Sequence, residues 1–508
     1  MDRKWWTLLV VCVATFMLLL DITVVNVALP AIQKDLDASF SDIQWVIDAY
    51  ALTLASLLLT AGTLGDLLGR RKVFAAGMVV FCGASLACGL SGSPIVLEIS
   101  RGVQGIGGST MFALTLALLA QEFHGRERGT ALGIWGATTG AAVAIGPLVG
   151  GALVDGFGWE WIFFVNVPVG VAALTILFTR VRETADPTGA RIDYAGTITF
   201  SASLFALVLG LVRANAEGWG STLIVSLFVA SAVLMLAFVL IERRVEHPMF
   251  ELSLFRKPAF IGADAAAFCL SASMFAMFLY LTLYIQNVLG YTPLQAGVRF
   301  LPVTLVSFVA AAASGNLTSI IPARFLLALG LGLVGVGLWL MHGVTPADSW
   351  TTLLPGFLVA GAGIGLTNPA IASSAIGVVP PQRSGMASGI NTTFRQVGIA
   401  TGIAALGAVF QSQVQSHLAT SLKQLPGGIL HPLSEAVATI GPKAAARAPA
   451  AQRHAVADAA RSAFIGGLND ILVIAFIVAF AGALLALLLV RQSDFVQSAP
   501  QAEPVAAA

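Results

Sequence analysis

The 508 residues are 57% apolar and only 10% charged, with a net charge of +1. That balance argues against nucleic-acid binding, which draws on a basic surface, and against a disordered scaffold, which is poor in apolar residues. Fourteen apolar stretches approach the roughly 20 residues that cross ~30 Å of hydrocarbon, so lipid is the solvent for most of the chain.

In chain order the predicted helices cover 6–29, 44–64, 73–91, 95–119, 130–153, 160–179, 194–212, 221–241, 260–286, 294–318, 323–342, 351–375, 384–410 and 466–490. The start, Asp2-Arg3-Lys4 before a long apolar run, imitates a signal peptide. The run is too long and more spans follow at once, so an uncleaved anchor is expected. Cys12, Cys82, Cys88 and Cys269 lie inside spans, match no zinc spacing and read as small packing residues. Fifty-two glycines suit close helix approach in lipid. The Ala/Pro-rich segment 411–464 and the tail 492–508 read as flexible or weakly helical, with no function assigned.

Basic residues sort onto alternate loops. Arg3 and Lys4, Arg70 to Lys72, Arg126 and Arg128, Arg180 to Arg191, Arg243 to Lys257, Arg324, Arg383 and Arg491 fall on one side. The opposite short loops hold only Lys34 and Arg213. Both termini of this multi-pass chain are therefore expected in the cytoplasm. A faint internal repeat aligns AGTLGDLLGRRKVFAAG (Ala61 to Gly77) with SGNLTSIIPARFLLALG (Ser314 to Gly330). The organisation expected is an all-α membrane protein: a six-helix bundle (1–180), two inserted helices (193–241) and a second six-helix bundle (259–491) containing the long external loop.

Several motifs carry a family likeness. Gly62, Leu64, Gly65, Asp66, Gly69, Arg70 and Arg71 form the loop after the second span. The fourth span reads LEISRGVQGIGG, with Leu97, Arg101, Gln104, Gly105 and Gly107, and the fifth carries Gly133, Gly146, Pro147, Gly150 and Gly151. The first contains LDITVVNVALP (Leu20 to Pro30), and the second half contains LYLTLYIQNVLGYTPLQAG (Leu279 to Gly297) and SGMASGINTTFRQVG (Ser384 to Gly398). Taken in order, this set resembles the fourteen-span drug:proton antiporter branch of the major facilitator superfamily. The likeness covers nearly all of the chain outside the long loop and the tail. It implies a bacterial cell-membrane exporter of hydrophobic or cationic drugs or antibiotics, with a gating loop at Asp66 and an antiporter helix at the fifth span. Departures are Leu67 for a usual basic residue, Ala142 for a usual glycine, and Ser319 opposite Asp66 in the repeat.

The loop residues also have a reading of their own. Glycines permit a tight turn, while Asp66 and Arg70 can pair or cap neighbouring helix ends as a latch; a purely topogenic turn is the alternative. In the fifth span Pro147 and its glycines permit bending and close packing, which ordinary membrane packing would also explain.

Ionisable residues inside spans are expensive in hydrocarbon and mark candidate chemistry. Asp21, Asp48 and Arg101 all count into the outer half of the first bundle, where they are expected to share one cavity and serve proton coupling or a substrate cation. For Asp48 an interfacial position is the competing reading. Asp264 lies near the cytoplasmic end of its span and could snorkel to water. Arg395, with Asn391, could line the cavity or tie one helix to another, and Asn26 and Gln104 are further cavity candidates. Phe16, Trp45, Phe112, Trp135, Phe275, Tyr280 and Phe394 are guessed as aromatic walls from depth alone.

No GxxxxGK[ST] segment occurs, so energy is expected from a proton gradient with no cofactor. The six histidines are scattered in loops or at a span end, and no metal spacing lies on a helix, which argues against an enzyme. Lipid, protons and a small-molecule substrate are the expected partners, with one chain sufficing as a monomer. An accessory periplasmic protein remains an open alternative. Among functions, a narrow exporter of a natural product, lipid or metabolite competes with multidrug efflux, because an apolar pocket admits many ligands.

Overall fold

A computed structural model describes residues 2–495 except 124, 184–192, 246–249, 319, 381–382, 422–432, 435, 439–440 and 448–452. The described residues form fourteen long helices. They are α1 (Arg3–Asp35), α2 (Phe40–Leu68), α3 (Arg70–Gly89), α4 (Pro94–Glu122) and α5 (Gly125–Phe157), then α6 (Trp161–Arg180). Next come α7 (Tyr194–Glu217), α8 (Thr222–Glu242) and α9 (Pro258–Val288). The chain continues with α10 (Pro293–Leu317), α11 (Ala323–Met341), α12 (Leu354–Gly377), α13 (Ser384–Ser421) and α14 (Arg453–Leu489).

Local chemistry sets several boundaries. A reciprocal capping box opens α2: Asp42 N–H donates to Ser39 Oγ (3.2 Å) while Ser39 N–H donates to Asp42 Oδ2 (2.8 Å). Proline at the first turn starts α4 and α9, where its missing N–H is harmless. One residue, Gly69, separates α2 from α3, and its φ of 107° lies in the region that favours glycine. Inside α9, π-turns at Ser271–Phe275 and Tyr284–Val288 interrupt the regular ladder. The first faces α13, where a Cβ on Gly398 would stand 2.6 Å from the Phe268 carbonyl oxygen.

Helices α1–α6 pack into one bundle and α9–α14 into another. The loops rich in Lys and Arg gather at one end. Arg3 donates to the carbonyl of Arg180 (2.8 Å), Lys4 pairs with Glu127 (2.8 Å), Lys257 donates to the Val378 carbonyl (2.7 Å), and Arg383 pairs with Glu251. At this basic end the cores interlock, for Ala372 and Ile376 of α12 are buried among first-bundle side chains. Helix α7 wedges between α2 and α13. Val208 is buried with Leu52 and Ala55 of α2, beside Trp45, Val212 and Ala400. Asn215 also donates to the Ala404 carbonyl of α13 (3.1 Å). Helix α8 packs on α7 and keeps an apolar outer face, with Val229, Val233 and Leu236 exposed.

The external segment departs from expectation. Helix α13 continues to Ser421 and α14 begins at Arg453, so the helices extend well past the apolar spans. Between them a 3-10 turn at Gly441–Arg447 packs on α14, with Leu433, Val437 and Ala444 buried. Small side chains make this Ala-rich stretch compatible with close packing, and of the two expectations, flexible or weakly helical, its described residues follow the helical one.

Candidate coupling site and gate

Five helices of the first bundle converge on Asp21. Its Oδ2 accepts from Arg101 Nη1 (2.5 Å), and its Oδ1 accepts from Gln104 Nε2 (2.9 Å) and Asn166 Nδ2 (3.4 Å). Arg101 also donates from Nε to the Val46 carbonyl (3.1 Å) and from Nη1 to Gln104 Oε1 (2.7 Å), and its guanidinium lies 4.2 Å from the Tyr50 ring centroid. Ser85 Oγ accepts from both Gln104 Nε2 (2.7 Å) and Asn166 Nδ2 (3.1 Å). Asp21 and Arg101 are 3% and 2% exposed, so the pair is closed off from solvent and from any ligand in this state. A buried charge pair is tolerable only when its hydrogen-bonding groups find partners, and this network supplies them to both carboxylate oxygens of Asp21 and to Nε and Nη1 of Arg101.

Asp48 does not share this site. It faces α7, where its Oδ2 stands 3.8 Å from Arg213 Nε, and Arg213 lies 4.5 Å from the Trp45 ring. The reason is helical geometry. Val46 and Tyr50 of α2 both face Arg101, and two residues along a helix turn the side chain by roughly 200°. Arg213, expected in an external loop, lies on α7 because that helix runs to Glu217.

Other candidates are also redistributed. Asn26 is exposed and donates to its own helix at the Ile22 carbonyl (3.1 Å), apart from Gln104. Asp264 is 1% exposed and does not snorkel; it accepts from Asn391 (2.9 Å). Arg395 donates to Asn368 Oδ1 (2.8 Å), tying α13 to α12. Three of the seven aromatic candidates serve packing: Trp135 donates to Thr15 Oγ1 (3.1 Å), Tyr280 donates to the Ile403 carbonyl (3.0 Å), and Phe112 belongs to the first-bundle core. The side chain of Phe275 and the whole of Ser319 lie outside the described residues.

The candidate gate lies at the basic end. Asp66 Oδ1 accepts from Arg70 Nε (2.9 Å), Arg70 Nη2 (2.7 Å) and the Gly385 N–H (3.1 Å), while Oδ2 accepts from the Met386 N–H (2.9 Å). The carboxylate thus satisfies first-turn amides of α13, at the positive end of that helix dipole, from the other bundle. Close approach requires glycine here. A Cβ on Gly62 would meet the Gly385 carbonyl, and one on Gly389 would stand 2.9 Å from the Leu58 carbonyl oxygen. Gly65 packs within the first bundle against Leu114. Arg71 stays within its own bundle: it donates to the Val181 carbonyl (3.1 Å), while Glu183 accepts from the N–H groups of Arg71 and Lys72 (3.1 Å each) and caps α3.

Helix α5 divides its glycines between two partners. Gly129 and Gly315 meet backbone to backbone, and a Cβ on Gly133 would stand 2.7 Å from the Ala311 carbonyl oxygen, so this end crosses to α10. Gly146 and Gly150 instead approach Thr23 and Val24 of α1, and Gly151 has open space. The Pro147 side chain lies outside the described residues. Tyr50, Ser85, Asn166, Glu183 and Gly129 belong to these sites without having been singled out from sequence. Ser85 and Asn166 had a legible signal as polar residues inside apolar runs.

Comparison with known proteins gives this arrangement a family. The Major Facilitator Superfamily model matches residues 11–403. The chain is 35% identical over 521 residues to the tetracenomycin C resistance and export protein of Streptomyces glaucescens, covering 99% of this chain and 95% of that one. It is 34% identical to the puromycin resistance protein pur8 of Streptomyces alboniger, covering 86% and 88%. In structure it is similar to the proton:xylose symporter XylE, with a TM-score of 0.63 at 13% identity, covering 96% of each chain. The chain belongs to the Major Facilitator Superfamily.

Proposed function

We propose that this protein exports hydrophobic or cationic drugs or antibiotics across a bacterial cytoplasmic membrane in exchange for protons. The basic end faces the cytoplasm, so both termini are cytoplasmic and the joined basic ends make this an outward-facing state. The names of the relatives, resistance and export proteins for tetracenomycin C and puromycin, support efflux; they equally favour a narrow natural-product exporter as the second reading.

The observation that carries the coupling is the sealed Asp21–Arg101 pair. Protonating Asp21 in place would strand Arg101 as an unpaired charge in a dry site, so a proton can enter only if α1 and α4 rearrange. Proton uptake and conformational change thereby become one event. Because Asp21 is closed to ligands here, drug and proton are linked through the helices rather than by contact at one carboxylate. Asp66 and its two α13 amides hold the cytoplasmic side shut, and the glycine pairs at Gly62–Gly385 and Gly129–Gly315 let the two bundles approach.

Energetics favour more than one proton. A charge crossing about 100 mV is worth about 2.3 kcal/mol, so one proton per neutral drug sustains roughly a 50-fold gradient. A monovalent cation exchanged for one proton moves no net charge and gains nothing from voltage.

The test is proton release from acid-loaded inverted vesicles on addition of lipophilic cations and neutral antibiotics, comparing the native chain with Asp21→Asn. Substrate-evoked flux that disappears in Asp21→Asn is the expected result. Flux that survives the substitution removes Asp21 from coupling, and no flux with any substrate removes multidrug exchange.

A further inference from the structure

A second carboxyl in the other bundle differs from Asp21 in every respect that matters for a proton. Asp264 lies two turns into α9 and is 1% exposed. Its Oδ1 accepts from Asn391 Nδ2 at 2.9 Å. Its Oδ2 is buried without a donor, and so is Asn391 Oδ1. Both leftover atoms are acceptors, and the donor that would serve them is a proton on the carboxyl group. Turning the Asn391 amide over sets its oxygen against the carboxyl and strengthens the need for that proton. An ionised Asp264 would be a full charge in a dry bundle with a single hydrogen bond and no cation.

Among the described residues the surroundings supply no other partner in this state. From α13, Arg395 stands one turn beyond Asn391; its Nη1 is bonded to Asn368 of α12, and its Nη2 is buried with no acceptor. From α14, the facing stretch GALLALLLV (Gly482 to Val490), placed by the packing of Cys269 on Gly482 and of Gly262 on Val490, has no titratable group. From α12, TNPAIASSAIG (Thr367 to Gly377) has none, and from α11 the one charged residue, Arg324, is exposed. At the mouth of α9, Lys257 is bonded to the Val378 carbonyl and Asp494 caps the Ala259 N–H.

We propose that Asp264 is a second proton-binding residue of the exchange cycle, protonated against Asn391 while the cytoplasmic gate is closed and paired with Arg395 once its proton leaves. The inference rests on the proton-exchange reading above. Asn391 and Arg395 are i,i+4 neighbours, roughly 5–6 Å apart at Cβ, so a short displacement of α13 exchanges one partner for the other. That helix is also the one whose first-turn amides Asp66 holds. Losing the proton would draw α13 along its axis against the gate, which connects the state of Asp264 to the opening of the cytoplasmic side. Asp264 also fills the place that Asp48, engaged with Arg213, leaves vacant as second acid for a drug cation.

Two measurements test this. In proteoliposomes with imposed pH gradient and voltage, protons moved per lipophilic cation are compared for the native chain and Asp264→Asn, which is isosteric with the neutral acid. The expected stoichiometry falls by one proton, halving from two, with export persisting on the pH gradient and losing its voltage dependence. Separately, the native substrate-free chain is treated at neutral pH with a hydrophobic carbodiimide, which attacks protonated buried carboxyl groups, and peptide mass analysis locates the adduct; Asp264 is expected to carry it, with Asp21 unlabelled. An unchanged stoichiometry in Asp264→Asn overturns the proposal, as does an unlabelled Asp264. A native chain that moves no protons defeats the exchange reading itself, and this proposal with it.

Discussion

Replacing Asp66 by alanine tests whether bonds between the bundles hold the basic end closed. Asp66 accepts four hydrogen bonds, but the two from Arg70 come from its own bundle and survive opening. Only those from the Gly385 and Met386 N–H groups differ between states. At about 1.5–3 kcal/mol net for each bond to a charged group, the closed end loses about 3–6 kcal/mol of bias. At about 1.4 kcal/mol per tenfold, the closed-to-open ratio falls by about 10²–10⁴. Asp66→Asn keeps an acceptor but not the charge, and lies between. The assay is a distance distribution between spin labels at Lys72→Cys and Ile320→Cys, exposed residues at the basic ends of the two bundles, with the four native cysteines replaced. The native chain is expected at the short distance and Asp66→Ala mainly at a longer one. Taking its carboxylate partner from Arg70, which is 5% exposed, also lowers the melting temperature, but that loss falls on both states. A folded Asp66→Ala with the native distance distribution would refute the reasoning.

Other substitutions separate gate, turn and wedge. Gly315→Ala places a Cβ against the Gly129 carbonyl and is expected to open the basic end and cut export about tenfold or more, a bias of about 1.4 kcal/mol, whereas Gly151→Ala enters open space and leaves export unchanged. Gly69→Ala must hold φ at 107° with Glu183 Oε1 at 2.7 Å from the new Cβ, and is expected to cost about 1–3 kcal/mol, read as a lower melting temperature. Arg213→Ala takes the partner from Asp48 in a largely buried 3.8 Å pair, so a loss of about 3 kcal/mol is expected, read as a lower melting temperature, with proton coupling retained. Loss of substrate-evoked proton flux in that variant would return Asp48 to the coupling site.

The sequence disclosed those features that depend on composition along one helix. Span positions follow from apolar length, and all fourteen predicted runs coincide with helices. Asp21 and Arg101 were conspicuous because an ionisable residue in an apolar run needs a reason to be there. What a single chain could not disclose is which side of a helix meets which neighbour. Asp48 and Tyr50 are two residues apart, yet one faces α7 and the other faces Arg101. In the same way Gly133 and Gly146, read as one antiporter motif, serve two interfaces, the first across to α10 and the second within the bundle to α1. Depth alone likewise says nothing of direction: Trp135 and Tyr280 reach to partners on neighbouring helices.

The two bundles hold their buried acids in opposite ways, and in the proposed exchange cycle that asymmetry sets the order of events. Asp21 is fully paired with a cation, so adding a proton there breaks a satisfied network; Asp264 faces only an amide, so removing a proton there creates an unsatisfied one. On the proposed cycle the Asp21 proton is therefore taken up as the outward-facing arrangement gives way, and the Asp264 proton is released once the cytoplasmic side has begun to open, one event on each side of the interface. Neither acid touches the gate directly. Asp21 acts through α1, which abuts α5 at Gly146 and Gly150, while Asn391 passes the state of Asp264 to α13. Since α5 crosses to α10 at Gly129 and α13 is held by Asp66, the two acids reach the two seams of the closed end separately. Opening the cytoplasmic side requires both seams to part, so on the proposed cycle each protonation change eases the parting of its own seam, and a chain with only one of them, such as Asp264→Asn, still opens but more slowly and with one proton fewer per turn.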